Sequence, residues 1–180
     1  NNVTWAFDPF TILSLPTPET GETTISELLK KFVSNELLTD DEKYFCIECN
    51  KKVNATKKIN IWEPPNILVI QLKRFKANSR MISKTSSVIK FPLKGLDIKE
   101  YSSDIHEINN TVYDLHAISS HSGSCYSGHY IAYCRNGINE NWYGFNDERV
   151  YYIPDSDLEQ EIVSRDAYIL FYVRRLNNNN

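Results

Sequence analysis

The stretch GHYIAYCRNGINENWYGFND, residues 128–147, decides the fold of this chain. Residues 129–135 are rich in aromatic and apolar side chains, which favour a β-strand. An Asn-Gly turn begins at Asn136, and residues 142–145 have the composition of a second strand. The stretch therefore predicts an antiparallel hairpin, in which the end of the second strand returns close to His129 at the start of the first.

The rest of the C-terminal half is also predicted to be mostly strand. Besides the hairpin, strands are predicted over residues 59–62, 67–75, 88–91, 113–119 and 168–174. Within 66–72 and 167–173 apolar side chains occupy both odd and even positions, which is typical of strands covered on both faces. These two segments are therefore expected at the centre of the sheet.

Two helices are predicted in addition to the strands. Thr24 and Glu27 have the spacing of a capping box, and apolar residues at helical spacing follow, so a helix is predicted over 24–34. A short, acid-capped helix is predicted from Asp155, just before the last strand. Residues 1–23 are expected to be extended, because prolines interrupt them.

Composition argues against several classes of function. The 180 residues are 41% hydrophobic and carry a formal net charge of −3, with lysine and arginine spread along the chain. Because no basic stripe suited to phosphate backbones results, nucleic acid is not an expected partner. A membrane is not expected either, since no run of about 18 apolar residues and no secretory leader are visible. Four cysteines are too few for a small disulfide-rich secreted domain, so an intracellular location, cytoplasm or nucleus, is expected.

A pair of cysteines is the first chemical signal. Cys46 and Cys49 are three residues apart and a polar turn follows, which is how a zinc knuckle presents two thiolates. Zinc prefers four ligands, and no histidine of the chain has knuckle spacing, so the pair would be half of a site. A redox pair and two thiols without a special role are the alternatives. The redox interpretation lacks the helix that should begin at the first cysteine.

A histidine at the start of the hairpin is the second signal. A loop of small residues, 119–128, runs into His129, and Gly128 directly before it allows another backbone to approach closely. A histidine at the rim of a sheet is often structural, but the hairpin should bring Asn146 or Asp147 beside this one. A histidine with such an orienting partner supplies two members of a Cys-His-Asn or Cys-His-Asp triad, so catalysis is the favoured interpretation.

These motifs resemble those of the ubiquitin-specific proteases. The histidine box of that family is similar to three stretches of this chain, GHYIAY at 128–133, WYGFND at 142–147 and AYILFY at 167–172. Further family-like motifs precede them in the family's order: DPF at 8–10, LSLP at 13–16, YFC at 44–46 with Cys49, ATKK at 55–58, IQLKRF at 70–75 and FPL at 91–93. The resemblance covers nearly the whole chain, from about residue 8 to residue 174.

The resemblance implies an α+β fold of the papain-like cysteine protease type, with palm, fingers and thumb. Residues 1–176 would be the C-terminal half of the catalytic domain, and 177–180 an asparagine-rich tail. Part of the zinc-binding fingers and their approach would occupy about 3–58, and a mostly antiparallel palm sheet would occupy 59–176. The implied activity is thiol-dependent hydrolysis of the bond after the C-terminal glycine of ubiquitin, with ubiquitin and ubiquitinated proteins as partners.

The resemblance also implies roles for individual residues. His129 matches the general base, Asn146 the residue that orients it, and Asp147 the polar residue beside it. Cys46 and Cys49 match the second half of a four-cysteine zinc site in the fingers. The loop 120–128 is similar to the loop that closes over the tail of ubiquitin. The substrate-binding residues that this implies are Ser120, His121, Gly123, Gly128 and Tyr130.

One element of the family pattern is missing from this sequence. The family's nucleophile lies in a thumb segment of the type Gly-Asn-Thr-Cys-Tyr, and no such segment occurs here. Cys125 lies in a mobile loop and Cys134 should face away from His129, so neither is expected to replace it. We therefore expect the thumb, the nucleophile and the first two zinc ligands in a missing N-terminal half, and expect the isolated chain to be inactive.

Two other classes of function remain open at this point. A pseudoenzyme, or a separately encoded half, would hold ubiquitin without cutting it. A structural zinc module is the third hypothesis, but it explains neither the Gly-His pair nor the closing strand. The sequence upstream of residue 1 would discriminate between them, through the presence or absence of the nucleophile segment and a second Cys-x-x-Cys.

The register of the hairpin decides between Asn146 and Asp147. Neighbouring residues of a strand point to opposite faces, so only one of the two can face His129. If Arg135 pairs with Glu140 across a four-residue loop, His129 lies opposite Asn146, whereas a loop longer by one residue would select Asp147. We predict Asn146, with its side-chain oxygen within about 3.5 Å of an imidazole nitrogen.

Overall fold

A computed structural model describes residues 3–77, 82–103 and 110–176 of the chain. The predicted tail at 177–180 lies outside these residues. The strands, in chain order, are β1 Leu13–Pro16, β2 Glu22–Thr24, β3 Glu36–Leu38, β4 Tyr44–Cys46, β5 Lys51–Val53, β6 Ala55–Lys57, β7 Ile67–Lys73, β8 Phe75–Ala77, β9 Ile82–Lys84, β10 Val88–Lys90, β11 Leu96–Asp97, β12 Val112–Gly123, β13 Gly128–Arg135, β14 Trp142–Asn146, β15 Arg149–Ile153 and β16 Ala167–Arg174. The α-helices are α1 Ile25–Phe32 and α2 Asp155–Ile162, and short 3-10 turns lie at Asp40–Glu42 and Lys99–Tyr101.

One large sheet organises the chain. Its strand order is β1-β7-β16-β12-β13-β14-β15, and β11 pairs with the start of β12. β1 runs parallel to β7, and the other pairs in this sheet are antiparallel. The predicted mostly antiparallel sheet is therefore confirmed, and the two segments predicted at its centre, β7 and β16, are neighbours within it.

Only one face of this sheet is fully covered. On β7, Leu68, Ile70 and Leu72 are completely buried, whereas Val69 and Gln71 between them are only partly buried. The buried face packs against both helices, and burial of apolar surface of this kind is the main stabilising contribution to the fold. Within this chain the apolar strands are fully covered on one face only, since the second face is half open.

Both predicted helices are present. The N-terminus of α1 carries the predicted capping box, in which the N–H of Glu27 donates to Oγ1 of Thr24 over 3.1 Å and the N–H of Thr24 donates to Oε2 of Glu27 over 2.9 Å. α1 ends at Phe32, two residues before the predicted end at Ser34. In the described ranges, neither helix has the length and apolarity that crossing a membrane would require.

Two predicted strands differ from the structure. The predicted strand 67–75 ends at Lys73, because Arg74 turns its side chain into the core and donates hydrogen bonds to the carbonyls of Ala167 (2.6 Å) and Ser87 (2.8 Å). Burial lowers the pKa of Arg74 to about 10, so the guanidinium stays charged at neutral pH. The strand predicted over 59–62 is wrong, since only Ile61 makes an isolated bridge there. Its partner is Ser102, the extended residue directly after the 3-10 turn Lys99–Tyr101.

The segment between α1 and β7 forms a double hairpin, defined here as residues 36–57. β3 pairs with β6, and β4 pairs with β5. The β4–β5 hairpin therefore lies within the connection between β3 and β6. β1 and α1 belong instead to the main sheet and its core. The assignment of about 3–58 to the fingers and their approach stays a prediction.

Gly144 of β14 has no room for a side chain, and this gives a first prediction. A Cβ at Gly144 would lie 2.3 Å from Cζ of Tyr151 on β15, whose hydroxyl donates to Glu161 of α2 over 3.2 Å. Overpacking of this kind costs about 1–3 kcal/mol. Gly144→Ala is therefore expected to lower the Tm by roughly 2–12 °C in a thermal unfolding experiment.

Gly137 provides the matched control for this change. A Cβ at Gly137 meets no atom within 4 Å, so Gly137→Ala should leave the Tm nearly unchanged. Equal Tm values for the two variants would contradict the packing of Tyr151 across Gly144.

Candidate active site

The β13–β14 hairpin has a different register from the predicted one. Arg135 pairs with Trp142, so the connecting loop is residues 136–141, two residues longer than predicted. Arg135 and Glu140 form a side-chain ion pair with an N–O distance of 2.7 Å, but they are not paired in the ladder. The predicted pairing of Arg135 with Glu140, and the directly opposed placement of His129 and Asn146 that followed from it, are therefore wrong.

The register change does not alter which residue faces His129. The register is shifted by two residues, and because side chains alternate with a period of two, such a shift preserves the faces. Asn146, at the end of β14, therefore remains on the face that His129 occupies at the start of β13, and Asp147 does not.

Asn146 makes a short hydrogen bond with His129. The distance between Nε2 of His129 and Oδ1 of Asn146 is 2.6 Å, which confirms the predicted contact. An amide oxygen can only accept, so Nε2 must carry the proton, and the lone pair of the neutral ring is then on Nδ1. The side chain of His129 is 45% exposed, so an incoming group can reach the ring that carries Nδ1. The arrangement can accept a proton at Nδ1 while Asn146 holds the ring.

Asp147 lies further from the imidazole than Asn146 does. Its Oδ2 is 3.8 Å from Nε2 of His129, and its side chain is 79% exposed. Asp147 has φ of 51°, and it begins the tight turn after which Arg149 pairs back with Asn146. Its carboxylate can add negative charge near the ring, but Asn146 makes the hydrogen bond.

The loop before His129 is shorter than predicted. β12 and β13 remain paired as far as Gly123 and Gly128, which leaves only residues 124–127 as the loop. The side chain of Ser124 accepts hydrogen bonds from the N–H groups of Tyr126 and Ser127, both over 3.2 Å. The predicted loop of small residues, 119–128, is therefore wrong in its bounds, since most of it is strand.

This shorter loop changes the environment of the predicted substrate-binding residues. Ser120 and His121 lie within β12 and are 5% and 6% exposed, so neither side chain offers a surface to a ligand in this structure. Tyr130 is 56% exposed, and Gly123 and Gly128 end the paired strands at the rim. Only these last three remain accessible beside His129.

Neither nearby cysteine has the setting of a nucleophile. Cys125 lies in the short loop, and Cys134 lies in the middle of β13, where it pairs with Ala117 and Tyr143. Burial raises the pKa of the Cys134 thiol, which disfavours the thiolate needed for attack. In the part of the chain that the structure describes, neither cysteine lies at the N-terminus of a helix, which would stabilise a thiolate.

The other candidate site is the pair of cysteines at the end of the double hairpin. Cys46 ends β4, Cys49 lies in the turn before β5, and the backbone N–H and thiol of Cys49 lower the pKa of Cys46. The same contact raises the pKa of Cys49. Two thiols held together in a tight turn suit two corners of a tetrahedral zinc site. Within 3–77, 82–103 and 110–176 no group of three or more metal-ligating side chains is assembled, so the described residues offer half of such a site.

The sequence patterns do not indicate the residues that contact His121 next to the candidate site. Lys84 of β9 donates a hydrogen bond to the carbonyl of His121 and forms an ion pair with Asp166, with an N–O distance of 2.9 Å. Phe75 of β8 packs edge to face against the ring of His121, with 5.3 Å between centroids. These contacts join segments 37 to 82 residues apart, which no local spacing could reveal.

Comparison with known proteins decides the family. The family Ubiquitin carboxyl-terminal hydrolase matches residues 21–172, which include the whole His129–Asn146 hairpin and both thiols of the double hairpin. The chain belongs to the ubiquitin carboxyl-terminal hydrolase family. The family resemblance inferred from sequence is thereby confirmed, and the chain is the C-terminal part of a ubiquitin-specific protease catalytic domain.

Named relatives of this chain agree with the family assignment. Ubiquitin carboxyl-terminal hydrolase 2 of Gallus gallus is 43% identical over 169 residues, covering 93% of this chain and 46% of the relative. The Homo sapiens protein of the same name is 39% identical over 168 residues, covering 92% of this chain and 27% of the relative. The chain therefore spans less than half the length of these curated relatives.

Solved structures also resemble this chain in fold. The SAGA Ubp8/Sgf11/Sus1/Sgf73 DUB module bound to ubiquitin aldehyde has a chain that matches with a TM-score of 0.81 and 34% identity, over 99% of this chain and 39% of that one. A yeast SAGA DUB module with a mutant Sgf73 matches with a TM-score of 0.82 and 36% identity, over 99% of this chain and 38% of the other. The sheet-rich architecture is that of these catalytic domains.

Proposed function

We propose that this chain supplies the general base and its orienting residue to a cysteine-type deubiquitinase. The hydrogen bond of 2.6 Å between His129 and Asn146 carries the proposal, because it leaves Nδ1 as the proton-accepting nitrogen at an exposed rim. The nucleophilic thiol comes from a thumb segment outside this sequence. Ubiquitin and ubiquitinated proteins are the substrates, and the neighbour bound to ubiquitin aldehyde supports this choice.

The proposed reaction has two stages, with His129 moving the proton in both. Nδ1 of His129 takes the proton of the thiol, and the thiolate attacks the carbonyl carbon of the last glycine of ubiquitin. The imidazolium returns the proton to the leaving amine, and a thioester forms. Water then attacks the thioester, its proton passes through Nδ1 to the thiol, and ubiquitin leaves with a free carboxylate. Asn146 accepts the Nε2 hydrogen bond throughout, which holds the ring in one tautomer.

The half-open face of the main sheet supports the presence of a further layer. Ile67, Phe145, Val150 and Tyr152 are exposed by 57%, 39%, 57% and 51%, and the apolar residues between them on this face are only partly covered. An apolar surface of this extent normally meets another structural element. The remainder of the catalytic domain packs there in the proposed enzyme. An intracellular location, cytoplasm or nucleus, belongs to the same proposal, because the four cysteines are free thiols, as is usual in a reducing compartment.

Hydrolysis of ubiquitin with a fluorogenic C-terminal amide tests the proposal. The full-length protein, with the sequence that precedes residue 1 in its gene, should release the fluorophore, and the 180-residue chain should not. Ubiquitin binding without hydrolysis by the full-length protein would favour the non-catalytic alternative. Hydrolysis by the isolated chain would refute the assignment of the nucleophile to another segment.

The double hairpin leads to a prediction about zinc. In the full-length protein Cys46 and Cys49 would supply two of four thiolates to one structural zinc ion, which is bound with about 10–16 kcal/mol in comparable structural sites. Cys46→Ser should reduce the zinc content from about one ion per chain to well below half, as measured by elemental analysis after dialysis against a chelator.

A third thiol provides the control for the zinc measurement. Cys125→Ser should keep the full zinc content, because Cys125 lies in the loop beside His129 and not in the double hairpin. The isolated chain should bind zinc weakly. One tightly held ion per isolated chain, or unchanged zinc in Cys46→Ser, would contradict the half-site.

A further inference from the structure

We propose that His121 is a positioning residue for His129, an inference that rests on the proposed function. His121 is 6% exposed and lies in β12, where it pairs with Tyr130. A Cβ built at Gly128 would lie 2.1 Å from Nε2 and 2.5 Å from Cε1 of His121, so the edge of this ring rests directly against the Gly128 backbone. The ring centroids of His121 and Tyr130 are 4.6 Å apart. His121 therefore contacts both chain neighbours of His129.

His121 is itself held from three directions. Its backbone N–H donates to the carbonyl of Asp166 over 2.8 Å, and its carbonyl accepts a hydrogen bond from Lys84. Lys84 is fixed in turn by its ion pair with Asp166, and only 12% of its side chain is exposed. The ring of Phe75 packs edge to face against the imidazole, and Phe75 also packs against Tyr168 at 5.5 Å between centroids. Because His121 is fixed in this way, the contact of its ring with Gly128 also fixes the position of the Gly128 backbone.

His121 is better suited to filling the space beside Gly128 than to acting as a second base. Burial, and then the positive charge of Lys84, lower the pKa of His121, so its ring stays neutral at physiological pH and adds no charge beside His129. Its Nδ1 is buried without a hydrogen-bond partner among the described residues, a loss of about 1–3 kcal/mol that an apolar ring would avoid. A six-membered ring, however, would reach further toward Gly128, where no space is free. The five-membered ring is the aromatic side chain that fills this gap without displacing the backbone.

The expected consequence of removing the ring concerns catalysis more than binding. His121→Ala leaves a gap beneath Gly128 into which the end of the hairpin can relax, so that Nδ1 of His129 no longer points at the thiol. A misplacement of about 1 Å can cost about 100-fold in rate. His121→Ala should therefore lower kcat by about 10- to 100-fold with KM nearly unchanged. His121→Gln, which retains a polar atom near the position of Nε2, should recover most of this loss.

The experiment measures kcat and KM of the full-length protein for a fluorogenic ubiquitin amide, per active site titrated with a covalent ubiquitin probe. Because kcat is expressed per titrated active site, a loss of rate that comes only from unfolded protein is excluded. The acid limb of the pH profile of kcat/KM should move upward by about 0.5–1 unit in His121→Ala, because a displaced His129 stabilises the thiolate less. His116→Ala, an exposed histidine on the same strand, is the matched control and should change neither quantity.

Each other outcome overturns the proposal in a recognisable way. A raised KM with unchanged kcat would make His121 a substrate contact. A lowered Tm with unchanged kcat per site and an unchanged pH profile would make its role purely structural. If the wild-type protein does not hydrolyse ubiquitin, the proposed function fails, and the histidine nitrogen NMR signals of the full-length protein decide the inference alone. His121→Ala should then shift the Nε2 signal of His129, and an unchanged signal would refute the positioning role.

Discussion

Replacing His129 by alanine in the full-length protein is expected to lower kcat for a fluorogenic ubiquitin substrate by about 100- to 10,000-fold. General bases contribute a factor of this size, and no other described imidazole is placed to substitute for it, since His121 is buried and His116 lies elsewhere on β12. KM should change little, because His129 acts on the thiol and not on the body of ubiquitin.

The control and the contradicting result for this variant are both kinetic. His116→Ala, at an exposed position of β12, should retain the kcat of the wild-type protein. Wild-type and His129→Ala proteins should also unfold at similar temperatures, because the replaced ring is 45% exposed. More than about a tenth of the wild-type kcat in His129→Ala would remove His129 from the role of general base.

Asn146→Ala is expected to lower kcat by about 100-fold, and Asp147→Ala by less than about tenfold. The reason is the difference between the two contacts, 2.6 Å from Nε2 of His129 to Oδ1 of Asn146 and 3.8 Å to Oδ2 of Asp147. Without its acceptor the imidazole can turn and adopt the other tautomer, which places a proton on Nδ1 and removes the base.

Asn146→Asp is the conservative variant that separates orientation from charge. Its carboxylate keeps an acceptor at the same position, so most of the activity should return, and the paired imidazolium should become more stable. If Asp147→Ala proved more damaging than Asn146→Ala, the assignment of the orienting role to Asn146 would be wrong.

The sequence predicts the parts of this fold that follow from local patterns. The capping box at Thr24 and Glu27 fixes the start of α1, and alternation and strand-forming composition locate the large-sheet strands from β12 onward, except β15. β15, Arg149–Ile153, has no counterpart among the predicted strands, and only residues 147 and 148 separate it from β14. The strand predicted at 59–62 fails because only Ile61 forms a bridge there, with Ser102 directly after a 3-10 turn.

The candidate site shows the same division between local and long-range information. Asn146 was identified correctly although the assumed loop was two residues too short, because parity, and not the absolute register, selects the face. The loop 120–128 was predicted as flexible from its small residues, yet Ser120 and His121 are buried in β12. Their burial comes from partners such as Phe75 and Lys84, which are distant in sequence and share no motif with the histidine.

The most direct test of the central claim, that this chain provides the base for a thiol it does not itself carry, is to locate a covalent ubiquitin adduct. The full-length protein would be treated with ubiquitin bearing an electrophile at its C-terminus, and the modified residue identified by mass spectrometry. We expect one ubiquitin per protein, on a cysteine outside the 180 residues, formed about 100-fold or more slowly in His129→Ala. An adduct on Cys46, Cys49, Cys125 or Cys134, or a rate that does not depend on His129, would contradict it.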